Sequence, residues 1–173
     1  VRKAQQIERI IVATDNERIA QVATAHQTDV VMTRSDHPSG TDRIAEALEQ
    51  VQADHIINVQ GDEPLLPASA IRQVADMLVT HPEASIATLC EPIHGLSDIE
   101  DPNQVKVVKS RSGRALYFSR TRIPGHPTLN IGMHHRHIGL YAYRAGFLRE
   151  FRMWEPTPLE QFERLEPLRA LEH

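Results

Sequence analysis

His55-Ile56-Ile57-Asn58-Val59-Gln60-Gly61-Asp62-Glu63-Pro64 carries a short apolar run into an amide, a glycine and two carboxylates before a proline stops it. A run of this length reads as a buried strand. The acids then lie at its carboxyl end, where open α/β sheets bind ligands. A carboxylate there suits a divalent cation carrying a polyphosphate, because hard Mg²⁺ takes oxygen ligands and shares them with its substrate. A strand followed by an ordinary acidic turn fits the same residues.

The segments on either side set the class. Upstream, Ile10-Ile11-Val12-Ala13-Thr14 is a β-branched run closed by the helix-capping residues Asp15-Asn16, with helical spacing through Ile19, Val22 and Ala23. Asp29–Met32 is a second short strand. A loop follows, and Ser39 or Thr41 then caps a helix with Ile44, Ala47, Leu48 and Val51 on its apolar face. Downstream, Pro67-Ala68-Ser69 starts a helix presenting Ile71, Val74, Ala75 and Leu78, and Ser85–Leu89 is strand-like. Strands and helices alternating at these lengths predict an α/β fold with right-handed crossovers and a mostly parallel sheet.

After Pro92 the pattern becomes β-rich. Val105–Lys109 and Ala115–Ser119 flank a turn with Gly113, the mark of a hairpin. Residues 124–134 read as a loop, Ile138–Tyr143 as a strand and Arg144–Phe151 as a helix. Leu159–Leu171 reads as one final helix opened by Thr157-Pro158.

A chain of 173 residues fits one domain, which we place over residues 1–173. The net charge of -4 and the spread of Lys and Arg give no nucleic-acid surface. One cysteine, Cys90, excludes a disulfide framework and suits a reducing cytosol; its apolar setting reads as inert. No apolar run approaches the roughly 20 residues that span a bilayer, and no signal peptide is visible, so the expected location is cytoplasmic. The chain opens without methionine, in what reads as mid-helix at residues 1–6, and we expect it to be part of something longer.

Four polar clusters invite chemistry. Asp62 and Glu63 form the first. The second is the loop Arg34–Arg43, where Ser39, Gly40 and Thr41 supply flexible backbone and Arg43 a fork of donors for carboxylate or phosphate; with no Walker or GxGxxG pattern, a capped helix start is the stronger reading on local sequence alone. In the third, His134-His135-Arg136-His137, adjacent histidines of a strand point to opposite faces, which argues against zinc. On that strand His137, Gly139 and Tyr141 share a face and leave room for a small ligand. The fourth is Glu160, Glu163 and Glu166, recurring at helical spacing, for which a solvated acidic face is the plain reading. There is no GxSxG elbow and no Cys beside a base. A carboxylate–metal site with Arg clamps matches phosphoryl or nucleotidyl transfer.

Together, IIVATD (10–15), MTRSDHPSGTDR (32–43), NVQGDEP (58–64), IRQVADML (71–78), NQVKVV (103–108), ALYFSR (115–120), RHIGLYAYRAGFL (136–148) and PTPLEQFERLEPLR (156–169) resemble the 3-deoxy-manno-octulosonate cytidylyltransferase (CMP-Kdo synthetase) family of Gram-negative bacteria. The resemblance implies a Rossmann-like nucleotide-diphospho-sugar transferase sheet in a three-layer α/β/α arrangement. It also implies attack of the sugar's anomeric hydroxyl on the α-phosphate of CTP, giving CMP-Kdo for lipopolysaccharide biosynthesis. Asp62 would then be a Mg²⁺ ligand, and Gln60 and Arg43 would contact the sugar acid, with Arg43 on its carboxylate. His137 and Tyr141 would line the sugar pocket and Glu166 would reach it from the last helix. The loop with Arg34, Ser39 and Gly40 would border the cytosine. Family members are homodimers.

Three features depart from the family pattern. Its opening strand with the IPARxxSxRLPGKPL loop and its later GVDTPEDL-type segment are not among these residues, so we expect the 173 residues alone to be inactive and prone to aggregate. Pro167 stands where the family has LEQLR; mid-helix it costs roughly 3 kcal/mol. Residues 124–134 are shorter than usual. Rival readings are a CMP-sialic acid synthetase or other sugar nucleotidyltransferase, a non-catalytic relic of the family, and a dehydrogenase, which the lack of a glycine fingerprint disfavours.

Overall fold

The computed structural model describes residues 1, 4, 7–37, 39–61, 65–126 and 130–173. The expected opening helix at 1–6 falls largely outside the described residues, as do Asp62, Glu63 and Pro64. The chain is mixed α/β and divides into two compact units, Val1–Ala87 with Leu140–Met153, and Thr88–Gly139 with Trp154–His173.

In the first unit, β1 (Ile11–Thr14) and β2 (Asp29–Met32) pair in parallel, joined by helix α1 (Glu17–Ala25). The side chain of Asn16 caps α1 by accepting from the backbone N–H of Arg18 at 2.9 Å, satisfying an otherwise orphan donor. Ser39 does the same for α2 (Gly40–Ala47), accepting from Asp42 N–H at 3.2 Å. Strand β3 (His55–Val59) leads towards α3 (Ala68–Thr80), which buries Ile71, Val74 and Leu78 on one stripe. That i, i+3, i+7 spacing is the sequence's own. β3 pairs antiparallel with the Leu140–Arg144 half of β7 (His135–Arg144), and α5 (Ala145–Phe151) follows. Leu48, Tyr141, Tyr143, Ala145 and Leu148 form the core here. Tyr143 stacks between Tyr141 at 5.7 Å and Phe147 at 6.1 Å, and its buried hydroxyl meets Thr41 Oγ1 at 3.1 Å. Arg144 donates to the carbonyls of Leu78 and Ala84, at and just beyond the end of α3, where a cation is favoured.

The predicted mostly parallel sheet is corrected in one respect. Parallel pairing is recorded for β1 and β2, whereas β7 runs antiparallel to β3 and to β5 (Lys106–Lys109). The ten-residue β7 pairs with β3 through Leu140–Arg144 and with β5 at Arg136.

In the second unit, β4 (Ile86–Pro92) contributes from Thr88 onward, and a short helix α4 (Leu96–Glu100) precedes the predicted hairpin of β5 and β6 (Ala115–Ser119). Its turn closes through Ser110 N–H to Arg114 O at 2.8 Å, with Gly113 at φ +86°, a conformation other residues avoid. Val107, Phe118, Leu165 and Leu168 form the core, with half-buried Cys90 packed on it. Burial pushes the Cys90 thiol up, which fits an inert residue.

The expected single helix over 159–171 is two helices, α6 (Pro158–Glu163) and α7 (Pro167–Glu172). Arg164 breaks the run in the left-handed conformation at φ 56°. Pro167 therefore occupies the first turn of α7, where its missing N–H costs nothing, and the mid-helix penalty does not arise. The solvated acidic face is also corrected. Glu160 is 9% exposed and binds Arg169 through two bonds of 2.8 and 2.6 Å. Glu163 accepts from Ser119 Oγ at 2.8 Å, Arg120 N–H at 3.1 Å and the Tyr117 hydroxyl at 3.3 Å. Period alone cannot distinguish a solvated row from one facing buried donors.

Candidate functional site

Parallel β1 and β2 end side by side, so Asp15 and Thr33 follow them at one sheet edge, where Thr33 N–H bonds Thr14 O at 2.9 Å. Capped by Ser39, α2 starts beside this edge and carries Arg43 one turn in. Arg43 Nη1 donates to Thr33 Oγ1 at 2.6 Å and Arg34 O at 3.3 Å, and meets Asp15 Oδ1 at 3.1 Å. Among the described residues these bonds all run through Nη1. Its Nε and Nη2 remain the side of the fork that suits an incoming carboxylate. The sequence pointed to Arg43, but Asp15 was read only as part of a cap, and its role in anchoring the guanidinium was missed.

Arg34, Ser39 and Gly40 surround the same helix start. Arg34 is exposed, with its side chain near Asp36 and Glu46 and its backbone N–H bonded to Glu46 at 3.3 Å. The imidazole of buried His37 contacts that same carboxylate. Ser39 serves as cap, so the capped-start reading of this loop holds. A Cβ placed on Gly40 would meet nothing within 4 Å, which leaves open space at the first residue of the helix.

At the end of β3, Gln60 and Gly61 are exposed. Asn58 is 4% exposed, and its Nδ2 has no hydrogen-bond partner among the described residues. A buried orphan amide marks a place where a further polar group belongs. Asp62, the expected metal ligand, lies outside the described residues; carboxylates such as those of Asp62 and Glu63 are the donor type a hard divalent cation takes.

In the second unit, His137 sits in the first half of β7. Its ring meets Phe118 edge-on at 5.0 Å and 74°, its Nε2 lies 2.9 Å from Thr88 Oγ1, and its backbone N–H donates to Val105 O at 2.8 Å. Burial lowers its pKa to about 4, so the imidazole is neutral at ordinary pH. Glu166 stands half-buried at the start of α7. Tyr141, expected on the His137 face, belongs to the first unit's core at 4% exposure. Thr88 had no signal in the sequence beyond the alternation of a strand.

The cytidylyltransferase family matches residues 1–173. The 3-deoxy-manno-octulosonate cytidylyltransferase of Hahella chejuensis is 50% identical over 179 residues, covering 95% of this chain and 69% of the relative. That of Acinetobacter baumannii strain AYE is 49% identical over 183 residues, covering 99% and 72%. The second alignment is longer than this chain, so that relative carries residues within the matched span that have no counterpart here. A solved structure of CMP:2-keto-3-deoxy-manno-octonic acid synthetase complexed with CTP superposes with a TM-score of 0.92 at 36% identity, over 98% of this chain and 70% of that one.

Proposed function

The chain belongs to the cytidylyltransferase family, and from that premise we propose that it transfers CMP from CTP to 3-deoxy-D-manno-octulosonate, releasing pyrophosphate. In this reaction the anomeric hydroxyl oxygen bonds to the α-phosphorus and the bond to the β-phosphate bridge breaks. CMP-Kdo is the activated sugar for lipopolysaccharide assembly, and the cytoplasm, where CTP is made, is where the reaction belongs. The observation that carries the reading is the match along the entire chain, at about half identity, to relatives bearing this activity in their names.

Asp62 would hold Mg²⁺, which supplies charge neutralisation for the triphosphate when bound. Arg43, its Nη1 fixed by Asp15 and Thr33, turns its remaining donors to the sugar's carboxylate. Gln60, exposed beyond β3, contacts the same sugar. Neutral His137 and Tyr141 line the sugar side, and Glu166 reaches it from α7. Arg34, Ser39 and Gly40 border the cytosine, with the open space at Gly40 giving a base close access to backbone. A second copy of the chain would cover exposed Leu159 and Phe162 on α6, the latter 85% exposed, in a homodimer.

Site variants assayed for pyrophosphate release in the protein expressed from its full gene test these roles. Arg43→Lys keeps the charge but loses the fork, and should raise KM for the sugar acid about tenfold or more with little change in KM for CTP. Asp62→Asn should lower kcat and weaken the dependence on Mg²⁺. An Arg43→Lys enzyme with wild-type sugar KM would contradict the assignment.

A further inference from the structure

Two donors from one short stretch converge on a single carboxylate in the first unit. Glu46, on the last turn of α2, accepts from the backbone N–H of Arg34 through both of its oxygens, at 3.3 Å each. The ring Nε2 of His37, a side chain only 5% exposed, meets the same carboxylate. Burial works against a charge on Glu46, but the bonds from His37 and Arg34 outweigh it and hold its carboxyl below the ordinary value. An ionised carboxylate only accepts, so His37 Nε2 carries the hydrogen. One turn earlier on α2, Arg43 donates to the carbonyl of Arg34 at 3.3 Å. Residues 34–37 are therefore fastened to α2 at both ends, and Arg34 is gripped through both its N–H and its C=O.

Resting on the reading that this loop borders the cytosine, we infer that Glu46 is a positioning residue that holds the backbone of residues 34–37 in the shape that selects a cytosine over a uracil nucleotide. Cytosine offers an amino donor and a ring-nitrogen acceptor where uracil offers a carbonyl acceptor and a ring N–H donor. Backbone groups tell these edges apart only when they are fixed, because a peptide free to turn presents its N–H or its C=O to either base. Glu46 supplies that fixity through the loop and needs no contact with the base. A carboxylate suits the task, since both of its oxygens accept, whereas a glutamine in its place has one accepting oxygen and an amide that only donates.

The experiment titrates CTP and UTP, each with Mg²⁺, into the protein expressed from its full gene as wild type, Glu46→Gln and Glu46→Ala, by calorimetry, and adds KM for CTP and for the sugar. Glu46→Ala should bind CTP about tenfold more weakly and narrow the preference for CTP over UTP by about the same factor, with the sugar KM unchanged. Glu46→Gln, which keeps one accepting oxygen, should recover part of both. Nitrogen-15 NMR should show the Arg34 amide and His37 ring signals moving in Glu46→Gln. A Glu46→Ala protein with the wild-type preference, an equal loss of affinity for CTP and UTP, or a matching rise in sugar KM would each overturn the inference. Should Glu46→Ala fail to fold, Glu46→Gln decides: a narrowed preference supports the role and an unchanged one overturns it. Wild type that binds CTP in preference to UTP but does not use the sugar would end the functional reading and leave this test intact. Wild type with no preference between the two nucleotides would overturn the inference, while the sugar assay still decides the transfer reaction.

Discussion

His137 ties a local environment to the pH response of the fold. Unfolded, its imidazole takes a proton at the ordinary value of 6.5; folded, burial lowers this to about 4. Between those values the unfolded chain binds more protons, so stability rises with pH across the window and falls on acidification. The loss should reach about 3 kcal/mol by pH 4 and level off below it, from roughly 1.4 kcal/mol for each unit of pKa difference. Urea unfolding of wild type and His137→Gln between pH 4 and 7 should show curves that diverge as pH falls, wild type losing more. Parallel curves would contradict the burial argument. Arg43 was legible because a fork of donors one turn into a Ser-Gly-Thr helix start suits a carboxylate or phosphate, whereas Asp15 and Thr88 were not. Their roles depend on partners 28 and 49 positions away, which periodicity does not encode.

The last two helices put the same lesson at the scale of elements. Their acidic row and Pro167 both read differently once Arg164 breaks the run. Pro167→Ala should change stability by less than about 1 kcal/mol, since a first-turn proline forgoes no hydrogen bond; a gain of about 3 kcal/mol would restore the mid-helix view. Glu160→Ala should cost about 3 kcal/mol or more, because it removes the carboxylate that the buried, 4%-exposed Arg169 guanidinium binds through two bonds. Thermal and denaturant unfolding of both variants checks the contrast. The strands, the Asn16 and Ser39 caps and the Gly113 hairpin were all legible, because each rests on residues within a few positions of one another.

At the scale of the molecule, alternation of strands and helices was enough to give the α/β class, but not the antiparallel entry of β7. Which strands pair is decided by long-range burial of Tyr141 and Tyr143, whose spacing fits a strand in either direction. The candidate site was legible chiefly through its motif combination, since Asp62, Arg43 and His137 each admit an ordinary structural reading alone. Pyrophosphate release by the protein expressed from its full gene, with CTP, Mg²⁺ and either 3-deoxy-D-manno-octulosonate or sialic acid, tests the central claim most directly. The account predicts release with CTP and the octulosonate together, CMP-Kdo as the product by mass spectrometry, and little with sialic acid. Preferential use of sialic acid, or no release with either sugar, would contradict it.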